Sequence, residues 1–247
     1  MDNHDKQIII QARDMVKRFG NFTANDHLTF EVYKGEIFGF LGANGAGKTT
    51  AIRILCGLSK PTSGQISVGG LDVYNNANAI KKNIGYMSQK FSLYENLTVW
   101  ENIRFFAGIY GMRLRDIKTK GRQLLKRLEI EHLSDKLIAS LPTGWRQKLA
   151  FSIAIFHEPR IVFLDEPTSG VDPVTRKQFW EMIYETARKG ITVFVTTHYM
   201  DEAEYCDRVT IMTEGKIIAV DTPQHLKNQY NAISMDEVFR KLARNIE

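Results

Sequence analysis

Between the apolar run Ile37-Phe38-Gly39-Phe40-Leu41 and a helical pattern through Ile52, Leu55 and Leu58 stands the stretch Gly42-Ala43-Asn44-Gly45-Ala46-Gly47-Lys48-Thr49-Thr50. Residues of these types at this spacing bind phosphate. A strand that ends in glycines lets successive backbone N–H groups turn inward as an anion nest, and the helix that follows aims its positive N-terminus at the same point. Side chains would block that approach. Lys48 supplies a point charge to the β- and γ-phosphates, and the Thr49 hydroxyl is the expected Mg²⁺ ligand. The strand-to-helix context separates this P-loop from a mere glycine-rich turn, so the chain is expected to bind a nucleoside triphosphate.

A P-loop needs partners before it can hydrolyse what it binds. Ile161-Val162-Phe163-Leu164 reads as a buried parallel strand that ends in Asp165-Glu166. Asp165 is expected to hold Mg²⁺, directly or through water. Glu166 can then polarise the attacking water, because phosphoryl transfer is mostly positioning and charge stabilisation. A helix cap or a solvated turn is the alternative use of such a carboxylate pair, and the preceding P-loop weighs against it.

The elements that must position these groups follow from periodicity. Ile8 to Gln11 and Leu28 to Val32 read as strands, and Lys34-Gly35 turns the chain into the P-loop strand. Pro61-Thr62-Ser63-Gly64 marks a turn, Ile66 to Val68 a strand, Gly69-Gly70 another turn, and Ile84 to Met87 a further strand. Thr98-Val99-Trp100-Glu101 is a capping box that opens a helix through Ile103, Phe106 and Ile109, closed by Gly111. The next helix, around Asp116 to Leu128, belongs to a segment rich in Lys and Arg, from Arg113 to Arg127. It reads as a solvated face rather than a nucleic-acid patch, since no aromatics interleave with its cations. Asp172-Pro173 caps a helix to about Arg188, Gly190 ends it, and Ile191 to Val195 is the next strand. This alternation predicts a parallel sheet covered on both faces. Val209 to Met212 and Lys216 to Ala219 pair around Glu214-Gly215, and Ser234-Met235-Asp236-Glu237 opens a last helix.

Composition sets wider limits. A chain of 247 residues can hold one large domain or a core with a subdomain. The formal net charge of +5 reads as a modest excess spread along the sequence. Cys56 and Cys206 lack metal-ligand spacing and are expected to be buried, reduced thiols, which suits a cytosolic chain. The residues from Met1 to Gln7 carry no apolar signal core, and the apolar runs fall well short of the roughly 20 residues of a spanning helix. If the protein works at a membrane, another polypeptide is expected to cross it.

With the P-loop, Gln89 after the Ile84 strand, Leu164-Asp165-Glu166-Pro167-Thr168-Ser169-Gly170-Val171-Asp172-Pro173 and Thr196-Thr197-His198 in this order, nearly the whole chain resembles the ATP-binding subunit of an ABC transporter. The resemblance implies ATP and Mg²⁺ as cofactors and an α/β fold. That fold would have a P-loop NTPase core on a parallel sheet, an N-terminal antiparallel β subdomain and an inserted helical subdomain. Residues 1–247 would form one domain, with 1–89 and 158–230 as the core, 90–157 as the helical subdomain and 231–247 as a C-terminal helix. It implies that Gln89 senses the metal and the nucleophilic water and couples them to the membrane subunit, and that His198 contacts the γ-phosphate. Phe19, in Val16-Lys17-Arg18-Phe19-Gly20, would stack on adenine; simple packing is the other reading, because Phe lacks the tyrosine hydroxyl often found there. Ser169, Gly170 and Asp172 would face a second ATPase subunit across a nucleotide sandwich. The chain would sit peripherally on the cytoplasmic face of the membrane.

One motif departs from the family pattern. Where ABC ATPases carry Leu-Ser-Gly-Gly-Gln, opening a helix presented to the opposite subunit's ATP, this chain has Leu141-Pro142-Thr143-Gly144-Trp145. Proline removes a hydroxyl and a backbone N–H while suiting a first helical turn, and Gly144, the helix dipole and the Thr143 hydroxyl remain. Two arrangements stay open: a heterodimer in which this chain donates a weak signature, and a homodimer with two adapted sites.

Phe91-Ser92-Leu93-Tyr94-Glu95-Asn96-Leu97-Thr98-Val99-Trp100-Glu101-Asn102 and Ser234-Met235-Asp236-Glu237-Val238-Phe239 resemble export-type subunits that partner ABC-2 membrane proteins. Phe91, Leu93, Tyr94 and Trp100 are expected either to line the groove for the membrane subunit's coupling helix or to pack within the helical subdomain. Two rival readings are a soluble ABC ATPase acting on ribosomes or nucleic acid and a nucleotide-binding subunit with little catalysis. The first usually needs two ATPase domains or a coiled-coil insertion, and the second has little use for Glu166 and His198. No nucleic-acid partner is expected.

Overall fold

The computed structural model describes residues 7–89 and 93–244. In chain order the elements are β1 (Ile8–Phe19), β2 (Phe22–Tyr33), β3 (Ile37–Gly42), α1 (Lys48–Leu55), β4 (Ser63–Val68), β5 (Leu71–Asp72), α2 (Ala77–Asn83) and β6 (Ile84–Met87). Then come α3 (Val99–Ile109), α4 (Leu114–Arg127), α5 (Thr143–Ala154), β7 (Ile161–Asp165), α6 (Pro173–Arg188) and β8 (Thr192–Thr197). After a 3₁₀ segment over Met200–Tyr205 follow β9 (Arg208–Thr213), β10 (Lys216–Asp221), α7 (Pro223–Gln229) and α8 (Met235–Arg244).

β3, β7 and β8 are dominated by apolar residues, with threonines and Asp165 only at the ends of β7 and β8, and are buried along their full lengths, as strands covered on both faces are. They form the middle of a sheet ordered β10-β9-β3-β8-β7-β6, parallel throughout except for the β9–β10 hairpin. β1 and β2 mix buried and exposed positions instead, with regular alternation from His27 to Val32 and bulges elsewhere, and pair in a second sheet ordered β2-β1-β4-β5. Phe30 of β2 meets Phe38, Phe40 and Phe194 of the parallel sheet with ring centroids 5.3–6.2 Å apart, so aromatic packing locks the two sheets together. The other face of the parallel sheet is covered by α3 to α6, with Leu149, Phe151, Phe179 and Ile183 in the same core as Val162 and Val195.

Local signals account for most boundaries. The Thr98 hydroxyl accepts from Glu101 N–H while the Glu101 carboxylate accepts from Thr98 N–H, a complete capping box. Asp172 accepts from the N–H groups of Val174 and Thr175 at 3.0 Å each, with Pro173 at the first helical position. At α8 the box is offset: Ser234 Oγ accepts from Glu237 N–H, but the Glu237 carboxylate reaches Ile233 N–H. Cys56 and Cys206 are free and buried, and burial pushes both thiols well above their ordinary range. No helix among the described residues is long and apolar enough to cross a membrane.

The structure differs from the sequence reading at several elements, and Ser63 and Gly64, read as part of a turn, open β4. β1 and β2 each run twelve residues, because bulges let them continue past the apolar stretches visible in sequence. α1 stops at Leu55 and leaves Leu58 exposed beyond Gly57, whose left-handed backbone ends the turn. α2 buries only Ile80 and so shows no apolar stripe. α7 is short, yet its Thr222-Pro223 start is a readable cap: Thr222 Oγ1 accepts from His225 N–H.

Candidate active site

The loop between β3 and α1 is shaped by two left-handed glycines, Gly45 (φ +85°) and Gly47 (φ +100°). A Cβ on Gly47 would run into the Ala24 carbonyl and come within 2.7 Å of Asn25 Nδ2, which itself donates to Gly47 O at 3.1 Å. β2 therefore braces the loop from behind. Gly215, in the β9–β10 turn, braces it from the side by donating to Ala46 O at 3.1 Å. Gly47 caps α1, whose first turn holds no acidic residue, so the helix end keeps its positive character. Lys48 is buried and its ammonium donates to Gly42 O (2.8 Å) and Ala43 O (3.1 Å). The ammonium therefore lies folded along the loop.

β7 and β8 deliver the carboxylates. Asp165 Oδ1 accepts from the Thr196 hydroxyl at 2.8 Å and from the Thr49 hydroxyl at 3.2 Å, which joins β7, β8 and the P-loop. Burial pushes the Asp165 carboxyl above its ordinary range, with the two hydroxyls opposing the shift. A bound divalent cation would reverse that balance. The Thr49 and Asp165 oxygens suit a hard cation such as Mg²⁺. No group of three His, Cys, Asp or Glu residues able to hold a metal occurs among the described residues. Such an ion would accordingly draw most of its ligands from water and phosphate.

Glu166 follows in a left-handed conformation (φ +48°), held by two bonds from its N–H, to Thr196 O (3.1 Å) and Thr196 Oγ1 (3.0 Å). A non-glycine residue in this region is strained, and with this backbone the side chain lies toward the loop. There Oε1 lies 3.2 Å from Lys48 Nζ, Oε2 accepts from Gln89 Nε2 at 2.9 Å, and Oε2 lies 3.0 Å from His198 Nδ1. The structure thus brings together Lys48, Thr49, Gln89, Asp165, Glu166 and His198, all named from sequence. Thr196, to which the sequence reading gave no role, holds the Asp165 carboxylate through its hydroxyl and the Glu166 backbone N–H through its hydroxyl and carbonyl oxygens. Its signal was a hydroxyl at the end of an apolar strand.

The remaining named residues lie farther out. Phe19 is 55% exposed at the hairpin tip, with Lys17 Nζ 4.9 Å from its ring centroid. Phe22, its cross-strand partner, is the aromatic that lines a cavity of about 260 Å³ with Asn44, Gly45, Thr50 and Gln89. Sequence reasoning passed over Phe22, although an aromatic three residues beyond Phe19 across a Gly20-Asn21 turn was visible. Leu141 is buried and Pro142 is the N-cap of α5, one place before the helical turn it was expected to enter. Thr143 Oγ1 accepts from Arg146 at 3.4 Å, Trp145 packs against the core with Lys148 over its ring, and Gly144 gives α6 room, since a Cβ there would meet Thr175 Cγ2 at 2.8 Å. Gln147 Nε2 donates to Ser169 O at 3.2 Å, linking α5 to the turn that carries Ser169, Gly170 and Asp172. Of the four groove candidates, Leu93 is buried, and Trp100 packs onto Gly121 of α4. Tyr94 is 51% exposed and edge-on to Phe105. Phe91 lies outside the described residues.

Residues 25–169 match the ABC transporter family. The chain is 49% identical over 223 residues to "Probable multidrug ABC transporter ATP-binding protein YbhF" of Escherichia coli, covering 90% of this chain and 39% of that protein. It is 38% identical to "Bacitracin transport ATP-binding protein BcrA" of Bacillus licheniformis, covering 90% of this chain and 72% of the relative. The chain thus spans about two fifths of the YbhF length and nearly three quarters of BcrA. Among solved structures, an ATP-binding subunit of an ABC transporter superposes with a TM-score of 0.86 at 28% identity, over 95% of this chain and 99% of the other. The P-loop site built on this parallel sheet belongs to that lineage: this chain is a member of the ATP-binding subunits of the ABC transporter family.

Proposed function

We propose that the chain is the ATP-hydrolysing subunit of an export-type ABC transporter that partners an ABC-2 membrane protein. The observation that carries the hydrolytic reading is the convergence of Lys48, Gln89 and His198 on the Glu166 carboxylate, beside the Asp165–Thr49 pair. In this reading the P-loop N–H groups and Lys48 hold the phosphates, and Phe19 or Phe22 stacks on the base. Thr49, Asp165 and Gln89 hold Mg²⁺, which when bound neutralises phosphate charge. Glu166 accepts the proton of the attacking water. His198, 3.0 Å from the same carboxylate, contacts the γ-phosphate and keeps the base aligned.

Leu141 to Trp145, with Ser169, Gly170 and Asp172, would face a second ATPase subunit, identical or different. Residues 90–157 act as the helical subdomain. A cavity of about 260 Å³ lined by Tyr86, Leu93, Phe106, Ile109 and Tyr110 is the groove for the membrane subunit, on the cytoplasmic face. Export is supported by the names of the relatives, which include multidrug and bacitracin transport proteins.

The test is affinity purification from detergent-solubilised membranes of the native host with mass spectrometry of the co-purifying chains. A polytopic membrane protein supports the transporter reading, and a second ATPase beside it supports a heterodimer. Ribosomal proteins or nucleic acid without a membrane partner would overturn it.

A further inference from the structure

The net charge of this chain is not spread along it. α4 carries Arg115, Lys118, Lys120, Arg122, Lys126 and Arg127 against one acid, Asp116, a net +5 equal to the formal net charge of the whole chain. Everything outside one fourteen-residue helix is electrically balanced. Two of the six cations are neutralised locally, Lys120 by Glu158 and Arg127 by Glu185. The other four, Arg115, Lys118, Arg122 and Lys126, are exposed, and no ion pair involves them among the described residues. Their spacings of three, four and four put them in one row along the helix, flanking the buried stripe of Ile117, Gly121, Leu124 and Leu125.

Like charges at these spacings work against the helix that carries them. A face kept only for solubility mixes both signs. Beside the start of the row lie Leu114 and Ile109, 73% and 60% exposed, on either side of the turn from α3 to α4. Ile109 also lines the groove assigned above to the membrane subunit. α4 contains no aromatic side chain to stack on bases, which weighs against nucleic acid. Exposed cations beside exposed aliphatic side chains fit the interface of a bilayer with anionic headgroups, where the cations meet phosphate and the aliphatics enter the acyl boundary.

We propose that α4 binds an anionic phospholipid surface through Arg115, Lys118, Arg122 and Lys126, giving the chain its own hold on the membrane. The inference deepens the transporter reading, which brings the chain to a bilayer, but its test needs neither nucleotide nor membrane partner.

The test is flotation of the purified chain with vesicles of phosphatidylcholine alone or mixed with phosphatidylglycerol. Wild type is expected to float with the anionic vesicles only, and to be released as salt rises from about 0.05 to about 0.5 M. Each cation removed should weaken partitioning about fivefold. Replacing all four by Gln, a good helix former, should therefore lower it more than a hundredfold at low salt, with ATPase and thermal midpoint preserved. A control replacing the exposed Lys34, Lys60, Lys81 and Lys82 by Gln has the same net charge and should still float. Equal flotation of the α4 variant and wild type, loss of flotation in the control, binding to neutral vesicles, or no binding at all would each overturn the proposal.

Discussion

Glu166 Oε1 lies 3.2 Å from Lys48 Nζ, and the two side chains are 6% and 3% exposed. The ammonium that a P-loop offers to phosphate is thus shared between two loop carbonyls and the carboxylate that would activate water. Nucleotide phosphates must compete with Glu166 for Lys48 and must also tolerate its negative charge. Removing that charge should tighten nucleotide binding: Glu166→Gln is expected to lower the Kd for ATP about tenfold, the worth of one charge-assisted bond. Equilibrium titration with a fluorescent ATP analogue reads this directly; an unchanged Kd would mean that the pair does not oppose phosphate.

Two glycines of the same loop should respond differently to a methyl group. Gly45→Ala meets nothing within 4 Å and costs only the left-handed backbone strain, about 1 kcal/mol. Gly47→Ala adds a collision with the Ala24 carbonyl and Asn25 Nδ2, so it should lose at least twice as much stability and most nucleotide affinity. Denaturant unfolding of the two variants compares them; equal losses would remove the role given to β2 as the loop's brace.

How much of this was legible in the chain can be traced residue by residue. The parallel strands were readable because each is a continuous apolar run, and the P-loop because its glycines, Lys48 and Thr49 follow such a run. That Gln89 and His198 belong to the site came only from family resemblance, and their meeting on Glu166 was not foreseen, since they reach it from loops after β6 and β8 and no local periodicity records such a meeting. Trp100 could not be assigned because its partner, Gly121, is a gap that accepts a ring, and a gap leaves no sequence signal. α2 and α7 were missed because short helices with one or two buried residues carry too little pattern. The charge reads as spread along the sequence, although the six cations and one acid of α4 account for the whole net charge, because a total does not show where its cations lack acidic neighbours.

The variant signature makes a prediction of its own. Pro142 caps α5 without any side-chain bond to the helix N–H groups. Replacing Pro142 with Ser and Thr143 with Gly restores a capping hydroxyl and a backbone N–H at the helix start. Basal ATPase should rise at least tenfold if those donors reach phosphate in the opposite site. Steady-state phosphate release at saturating Mg·ATP is the measurement, and no change would show that this motif does not limit turnover.

His157 sets an acid limit on stability. Its Nε2 lies 3.2 Å from Ile84 O, its ring stacks on Tyr110 with centroids 3.5 Å apart, and burial lowers its pKa to about 4. Between the ordinary value of 6.5 and about 4, the unfolded chain takes up a proton that the folded chain does not. Stability should therefore fall as pH drops through that window. His157→Phe keeps a ring against Tyr110 and removes the titration, so its urea midpoint should change less between pH 7 and pH 5 than that of wild type, under otherwise identical buffers. The same acid loss in both proteins would exclude His157 as its source.

The central claim is that Glu166 performs the chemistry while Lys48 and the loop perform the binding. Single-turnover phosphate release at saturating Mg·ATP, measured for wild type and Glu166→Gln with nucleotide occupancy determined in the same samples, tests it most directly. Full occupancy is expected in both, with a rate in the variant lowered by about 10²- to 10⁴-fold. A variant that binds nucleotide and releases phosphate at the wild-type rate would contradict it.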